Sequence, residues 1–358
     1  MKIANINAGQ ETGGALTHLI FQARVLKKHQ VDNELILFTD STVAKAAREN
    51  GLKYQVVNQR KPEEWIKYLN EKRFDLVQTH GPRANFLVGL QQKKLFCPRV
   101  VTVHSDPRYD FLGGGLKGKI QTKLNLASLR RADGLFVVST ELKEELLKLK
   151  IPADKISQII NAIDFSAEVP AKIKHDFMQV IIVARLHPVK GHARLIKALA
   201  HLNNPHIFLH VVGAGDLKDE LNNLVAENEL TEQVQFYGAL DQRAINELYC
   251  QMDLALIVSK SEGFPLVFLE AANNAVPVLM TELSVTSQLI PDADKGIVVN
   301  NSQEGIEKGL SQAYQMGVER LSQLGQNSRT YARDHFGAEQ FFEDLMTGYE
   351  KFSKKEKL

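Results

Sequence analysis

At 358 residues, 44% hydrophobic and 24% charged, the chain has the composition of a globular protein with room for two domains, each large enough for its own core. A net charge of +2 gives no global pull toward nucleic acid. Two cysteines in opposite halves, Cys97 and Cys250, argue against a disulfide framework and fit a reducing cytoplasm. No apolar run approaches the roughly 18 residues of a membrane span, and the opening Met1-Lys2-Ile3-Ala4-Asn5-Ile6 is too short and polar for a secretion signal.

Strand and helix patterns alternate along the chain. Strands are predicted at 3–7, 34–38, 75–79, 99–104, 134–139 and 155–160, with helical patterns between them such as 15–29 and 141–150. The polar stretch 165–176, with Pro170 and several lysines, reads as a linker. The pattern restarts with strands at 179–184, 207–212, 234–237, 254–258, 278–280 and 296–299, and closes on an amphipathic helix at about 338–354. Two consecutive βα series predict an α/β protein of two doubly wound parallel sheets.

The most informative segment is Glu262-Gly263-Phe264-Pro265-Leu266-Val267-Phe268-Leu269-Glu270. The apolar run Asp253-Leu254-Ala255-Leu256-Ile257-Val258 before it reads as a buried parallel strand. Pro265 suits the first turn of a following helix, where its missing N–H is not needed. Glu262 then sits in the strand-to-helix loop and Glu270 about one and a half turns into the helix. Loops at the carboxyl ends of strands are where open α/β sheets bind ligands. By helical rise the two carboxylates are roughly 10 Å apart, too far for a retaining glycosidase pair at about 5–5.5 Å. The spacing suits two contacts on one elongated ligand.

Glu262-Gly263-Phe264-Pro265 with Glu270 resembles the E-x7-E signature of the family-4 glycosyltransferases, a large retaining group of the GT-B fold. Gly13-Gly14, His104 after the strand Val100-Val101-Thr102-Val103, Asn161-Ala162-Ile163-Asp164, Val183-Ala184-Arg185-Leu186 with Lys190-Gly191, and Val212-Gly213-Ala214-Gly215 agree with that family in order. The family's turn before the linker has glycine where this chain has Ala162. The resemblance implies an N-terminal Rossmann-like domain at 1–165 that binds the acceptor. It implies a C-terminal Rossmann-like domain at 166–335 that binds a nucleotide-diphosphate sugar across a cleft. A helix at 336–358 would cross back onto the first domain.

The resemblance assigns Arg185 and Lys190 to the donor's phosphates, Arg as a fork and Lys as a point charge. Glu270 would accept hydrogen bonds from the ribose hydroxyls. Glu262 and the backbone N–H groups of Gly263, Phe264 and Leu266, with Pro265 opening the helix, would hold the donor hexose. Gly13 and Gly14 would let the backbone approach the diphosphate. His104 would contact the donor sugar and phosphate, and with Glu262, Arg185 and Lys190 makes up the catalytic set. The alternatives are a solvated basic loop, two surface glutamates and a structural histidine.

His80, in Gln78-Thr79-His80-Gly81, is a second strand-end histidine and is placed on the acceptor side. Between Gly113 and Arg131 the chain carries Lys117, Lys119, Lys123, Arg130 and Arg131 and no acid, with Leu116, Ile120, Leu124 and Leu129 as an apolar side. It reads either as a solvated helix face or as contact with an anionic membrane or lipid-phosphate acceptor. Asp292-Ala293-Asp294 follows Pro291 and reads as a solvated turn rather than a metal site, and no His/Cys cluster has zinc spacing. No metal or resident cofactor is expected.

The expected activity is retaining transfer of a hexose or N-acetylhexosamine from a nucleotide-diphosphate sugar, UDP-sugar foremost. The acceptor would be a carbohydrate, lipid-linked or polymer hydroxyl in cell-surface polysaccharide, teichoic acid or glycolipid synthesis. The setting would be the cytoplasm or the inner face of the membrane, with no nucleic-acid partner. A sugar-nucleotide epimerase of the same fold, or a non-catalytic partner subunit, are the other readings.

Overall fold

The computed structural model describes residues 1–11, 14–104, 106–108, 115–166, 168–169, 173 and 175–353, with backbone alone for Leu116, Lys117 and Lys119. Gly13, Gly113, Gly114 and Pro170 lie outside those residues, as do the side chains of Lys117 and Lys119. The chain divides into two compact units. One is Met1–Asp164 with Ala338–Leu358, and the other is Phe165–Gly337.

The first unit holds a seven-stranded parallel sheet made of β1 (Lys2–Asn7), β2 (Asp32–Leu37), β3 (Tyr54–Val56), β4 (Leu76–His80), β5 (Arg99–Val103), β6 (Gly134–Val137) and β7 (Ile156–Gln158). Their spatial order is β3-β2-β1-β4-β5-β6-β7. The order reverses between β1 and β4, which pair in register from Ile3 with Leu76 to Asn7 with His80. Central strands are buried on both faces, as a parallel sheet covered by helices requires. The helix Pro62–Glu71 shows the local logic. Pro62 and the acids Glu63 and Glu64 favour its first turn, and Trp65, Ile66 and Leu69 fall on one buried face.

The second unit repeats the plan with six parallel strands. These are β8 (Met178–Val183), β9 (Ile207–Val212), β10 (Val234–Gly238), β11 (Leu254–Ile257), β12 (Val278–Thr281) and β13 (Ile297–Val299), ordered β10-β9-β8-β11-β12-β13. Here the reversal lies between β8 and β11, paired at Leu254 with Val180 and Ala255 with Ile181. The helical stretch Gln303–Phe336 covers this sheet and breaks at Gly317, whose φ is 72°.

The closing helix, Ala338–Ser353, belongs to the first unit. Phe341, Leu345, Tyr349 and Phe352 follow the helical period and bury against Ile3, Phe136 and their neighbours. β3 is absent from the sequence-based strands because three edge residues carry too little alternation to register. Strands expected at 134–139 and 155–160 end earlier, at Val137 and Gln158.

Candidate functional site

In the second unit the loops after β8 and β11 meet at the point where the strand order reverses, the crevice that such sheets use for ligands. The loop after β8 closes with a short turn, Pro188–Lys190, and Gly191 at φ 80°. A Cβ on Gly191 would stand 2.2 Å from the Val258 carbonyl oxygen, so only glycine lets this turn lie over the end of β11. The two loops are then stitched together. Lys260 N–H donates to the Val189 carbonyl at 2.7 Å, and Arg194 Nη2 donates to the Val258 carbonyl at 2.8 Å. Thr281 Oγ1 and Asn301 Nδ2 both donate to the Ser259 carbonyl, at 3.1 and 3.2 Å.

That scaffold places Lys190 Nζ 2.5 Å from Glu262 Oε1, and Ser259 Oγ donates to the same oxygen at 2.5 Å. Both partners of the ion pair are largely shielded from solvent. Arg185 differs: it is exposed, and among the described residues its side chain has no ion pair or hydrogen bond. Its backbone is held from behind, where Gly213 at φ 144° brings the loop after β9 against Ala184. A Cβ there would lie 1.9 Å from the Ala184 carbonyl oxygen. Gly213-Ala214-Gly215 therefore supports the Arg185 loop, with Leu186 N–H donating to the Ala214 carbonyl at 3.0 Å.

The helix after β11 runs Leu266–Asn273, with Pro265 as the residue just ahead of it rather than inside its first turn. No side chain caps its start, so its first N–H groups are free of a side-chain partner. Phe264 anchors the approach by burying its ring against Phe336, centroid to centroid 5.4 Å. Glu270 follows one turn in. Burial pushes its carboxyl up to about 7, against the hydrogen bond from Gln242.

In the first unit Gly14 opens the helix Gly14–Lys28, while Gly13 lies outside the described residues. His80 ends β4 and His104 follows β5. His18, on the helix, joins them: ring centroids are 4.8 Å apart for His18 and His104, and 6.2 Å for each with His80. Burial pushes His18 down to about 3, helped by His104 beside it, and pushes His104 to about 4. His80 lies well below the usual range for the same reason. A buried network lies under the cluster. Gln22 Nε2 donates to Asn5 Oδ1 at 2.9 Å and to Gln78 Oε1 at 2.8 Å, and Gln78 Nε2 donates to Thr102 Oγ1 at 2.7 Å. The Tyr349 hydroxyl bonds Gln78 Oε1. Linear zinc spacing gives no sign of this cluster, since residues 18, 80 and 104 come together only through the sheet order.

The basic stretch forms the helix Gly115–Arg131. Its Lys123, Arg130 and Arg131 are exposed, and so are Ile120 and Leu124, at 52% and 42%. Asn125, Ser128 and Leu129 face inward instead. Ile120 and Leu124 therefore do not pack on the domain as an apolar side against its core would. Asp292 and Asp294 are exposed, the first 3.6 Å from Lys295 and the second 2.7 Å from Arg320.

Two family models match, Glycosyltransferase Family 4 over residues 12–167 and Glycosyl transferases group 1 over residues 166–331. Among curated proteins, an uncharacterized glycosyltransferase of Methanocaldococcus jannaschii is 27% identical over 252 residues, 64% of this chain and 63% of that protein. The phosphatidylinositol N-acetylglucosaminyltransferase GPI3 subunit of Saccharomyces cerevisiae is 24% identical over 237 residues, 63% of this chain and 52% of that protein. The match thus spans between half and two thirds of the length of these relatives. The crystal structure of Anabaena HepE in complex with UDP superposes with a TM-score of 0.83 at 18% identity, over 98% of this chain and 100% of that one. At that identity the likeness speaks for the fold, which is GT-B.

Proposed function

The chain belongs to glycosyltransferase family 4, and on that premise we propose that it moves a hexose or N-acetylhexosamine from a UDP-sugar to a hydroxyl acceptor with retention of configuration. One observation carries the reading. At the β8/β11 reversal four features collect: the guanidinium of Arg185, without a partner among the described residues, the Lys190–Glu262 pair, an uncapped helix start and the half-buried Glu270. This is a set for an anion joined to two hydroxyl-bearing rings. HepE, which shares the fold, was crystallised in complex with UDP, and that makes UDP the first nucleotide to test.

In this reading Arg185 and Lys190 meet the diphosphate, and Lys190 shares its charge between the phosphates and Glu262. Glu262 and the N–H groups at Gly263, Phe264 and Leu266 hold the hexose, while Glu270 accepts from the ribose hydroxyls. The acceptor oxygen bonds the anomeric carbon on the face from which the phosphate oxygen departs. The acceptor's proton passes to that leaving phosphate oxygen. The two cations and the helix start stabilise the charge that develops there, which is electrostatic catalysis. Transfer needs no metal, and it survives EDTA.

The acceptor belongs to cell-surface polysaccharide, teichoic acid or glycolipid synthesis. The name of the yeast relative, which contains phosphatidylinositol, and the exposed Ile120 and Leu124 beside Lys123, Arg130 and Arg131 favour a lipid-linked acceptor at an anionic surface. The test is UDP release from UDP-glucose and UDP-N-acetylglucosamine with and without acceptor, followed by NMR of the new linkage. Release only with acceptor, and an α-linked product from an α-linked donor, is expected. Acceptor-independent turnover would point to an epimerase, no turnover to a partner subunit, and a β-linked product would end the retaining reading.

A further inference from the structure

The three histidines of the first unit raise a question of coordination beyond the donor contact that the resemblance implies for His104. His18 comes from the helix Gly14–Lys28, His80 from the end of β4 and His104 from the residue after β5. Each offers a ring nitrogen, and these nitrogens lie within 4.8 Å of one another. His18 and His80 are 3% and 2% exposed. His18 Nδ1, His80 Nδ1 and His104 Nε2 are all buried without a hydrogen-bond partner. An unpartnered buried polar atom is costly, and here three of them cluster on three separate elements.

Which nitrogen of His80 is bare follows from its neighbours. Asn5 Nδ2 donates to Asn33 Oδ1 at 2.6 Å, so Asn5 turns its Oδ1 toward Gln22 Nε2 and His80 Nε2, each at 2.9 Å. That oxygen can only accept, so His80 Nε2 carries the proton and the lone pair sits on Nδ1. A carboxamide oxygen behind an imidazole N–H is the outer support that metal-ligating histidines use to fix tautomer and ring angle.

We propose that His18, His80 and His104 form a three-imidazole site for a divalent transition metal of the zinc class. Imidazole sets suit Zn2+, Cu2+ and Ni2+ and reject Mg2+, which takes oxygen ligands. With Zn–N of about 2.0–2.1 Å, tetrahedral nitrogens stand about 3.4 Å apart. Rotation of the rings about their side-chain bonds therefore has to bring the farthest pair in by about 1.4 Å. His104, partly exposed, also lines a cavity of about 30 Å³ with Gly81, Thr102 and Asn125.

The test is equilibrium dialysis of the full chain, stripped of metal, against Zn2+ alone, with bound metal measured directly. One Zn2+ per chain is expected, with affinity falling at least tenfold in H18Q, H80Q and H104Q, and unchanged in H201Q. His201 is the control because it is exposed and sits on Glu307, a surface pair that could capture metal by chance. H104Q replaces the most accessible of the three rings, so it stays folded even if the two buried variants do not. A second readout needs no variant: Zn2+ raises the melting temperature of the wild type and Mg2+ does not. Binding lost in H201Q and kept in H104Q, or no stoichiometric Zn2+ and no shift in melting, would overturn the site.

Discussion

The strand pair at the centre of the first sheet, β1 and β4, buries Asn5, Asn7, Gln78 and His80. The equivalent pair in the second, β8 and β11, buries Val180, Ile181, Leu254 and Ala255. One strand reversal thus serves two interiors. In the second unit the sheet is an apolar platform, and its polar chemistry stands on loops above it: Arg185, Lys190, Ser259 and Glu262. In the first unit polar groups run down into the sheet, from His18 and His104 through Gln22 to Gln78, Thr102 and Tyr349. A buried polar network holds only while its members keep the protonation states that satisfy it. The two units therefore differ in how strongly acid acts on them.

The largest effect is expected in acid. An imidazole whose folded value lies below the unfolded 6.5 gives stability that is complete above 6.5 and lost as pH falls through the folded value. For His18 and His104, at about 3 and about 4, and for His80, well below 6.5, the loss begins at pH 6.5 and is still growing at pH 5. For His18 and His104 the cost is on the order of 2 kcal/mol each over that interval, and His80 adds to it in the same direction. The second unit has two depressed imidazoles, both at about 4: His192, as buried as His80, and His210, half-buried. Hydrogen exchange at pH 7 and pH 5, in metal-free buffer, reads each unit separately. Protection in β1, β4 and β5 should fall more than in β8 and β11. An equal or greater loss in the second unit would break the comparison.

Glu270 works the other way. A carboxyl raised to about 7 from 4.5 gives stability that is full below 4.5 and lost as pH rises through 7. E270Q removes that penalty, so its stability relative to wild type should be about 3 kcal/mol better at pH 8.5 than at pH 4.5. Denaturant melts at the two values measure it, and the same difference at both would mean the carboxyl is already ionised in the fold. Ligand binding has the opposite sign. Ribose hydroxyls donate to the carboxylate, so UDP affinity in the wild type should weaken as pH drops below 7, and E270Q should lose that dependence.

The donor-side cations come next. R185A and K190A each remove a charge-assisted contact worth roughly 1.5–3 kcal/mol, or 10- to 100-fold in transfer. They should differ in stability. Arg185 has no partner among the described residues, so R185A is neutral, whereas K190A strands Glu262, which keeps only the Ser259 hydroxyl, and destabilises the second unit. Coupling between K190A and E262Q of 0.5–3 kcal/mol is expected from a double-mutant cycle. Additive effects would show that the pair contributes nothing.

Legibility in the sequence divides along the same line. The groups of the second unit lie within short stretches, 185–191 and 262–270, so one strand-to-loop reading brings each stretch to one place. What could not be read is that the two stretches touch, because Lys190 and Glu262 meet only through the adjacency of β8 and β11. In the first unit almost nothing is local. His18, His80 and His104 need three elements, and Tyr349 reaches Gln78 only because the last helix returns to the first sheet. Periodicity placed the βα series well, and it missed β3, whose three residues have no period to show.

The smallest effect is the one that would most sharpen the division of labour, since it concerns a surface found in the first unit. Lys123, Arg130 and Arg131 are exposed on the helix Gly115–Arg131, and Arg130 also donates to the Leu149 carbonyl at 3.2 Å. Ile120 and Leu124 stand out on the same helix. Leu90 and Phe96, at 55% and 82% exposed, sit on and just past the helix Pro82–Gln91 that packs beside it. Cations with exposed apolar side chains between them are the composition of a face that lies on an anionic bilayer. Each cation near such a surface contributes about 1 kcal/mol, about fivefold in binding. The attachment should therefore be reversible and salt-sensitive. Co-sedimentation with phosphatidylserine vesicles at low salt should exceed that with neutral vesicles, and K123E with R131E should lower it by at least 25-fold, about 2 kcal/mol for two cations. I120S with L124S should lower what remains at high salt, where the charge contribution is screened. The donor site, in the other unit, should be untouched, so UDP affinity serves as the control for folding. Equal recovery on both kinds of vesicle, for wild type and variants alike, would return the helix to a solvated face and favour an acceptor that comes to the enzyme through water.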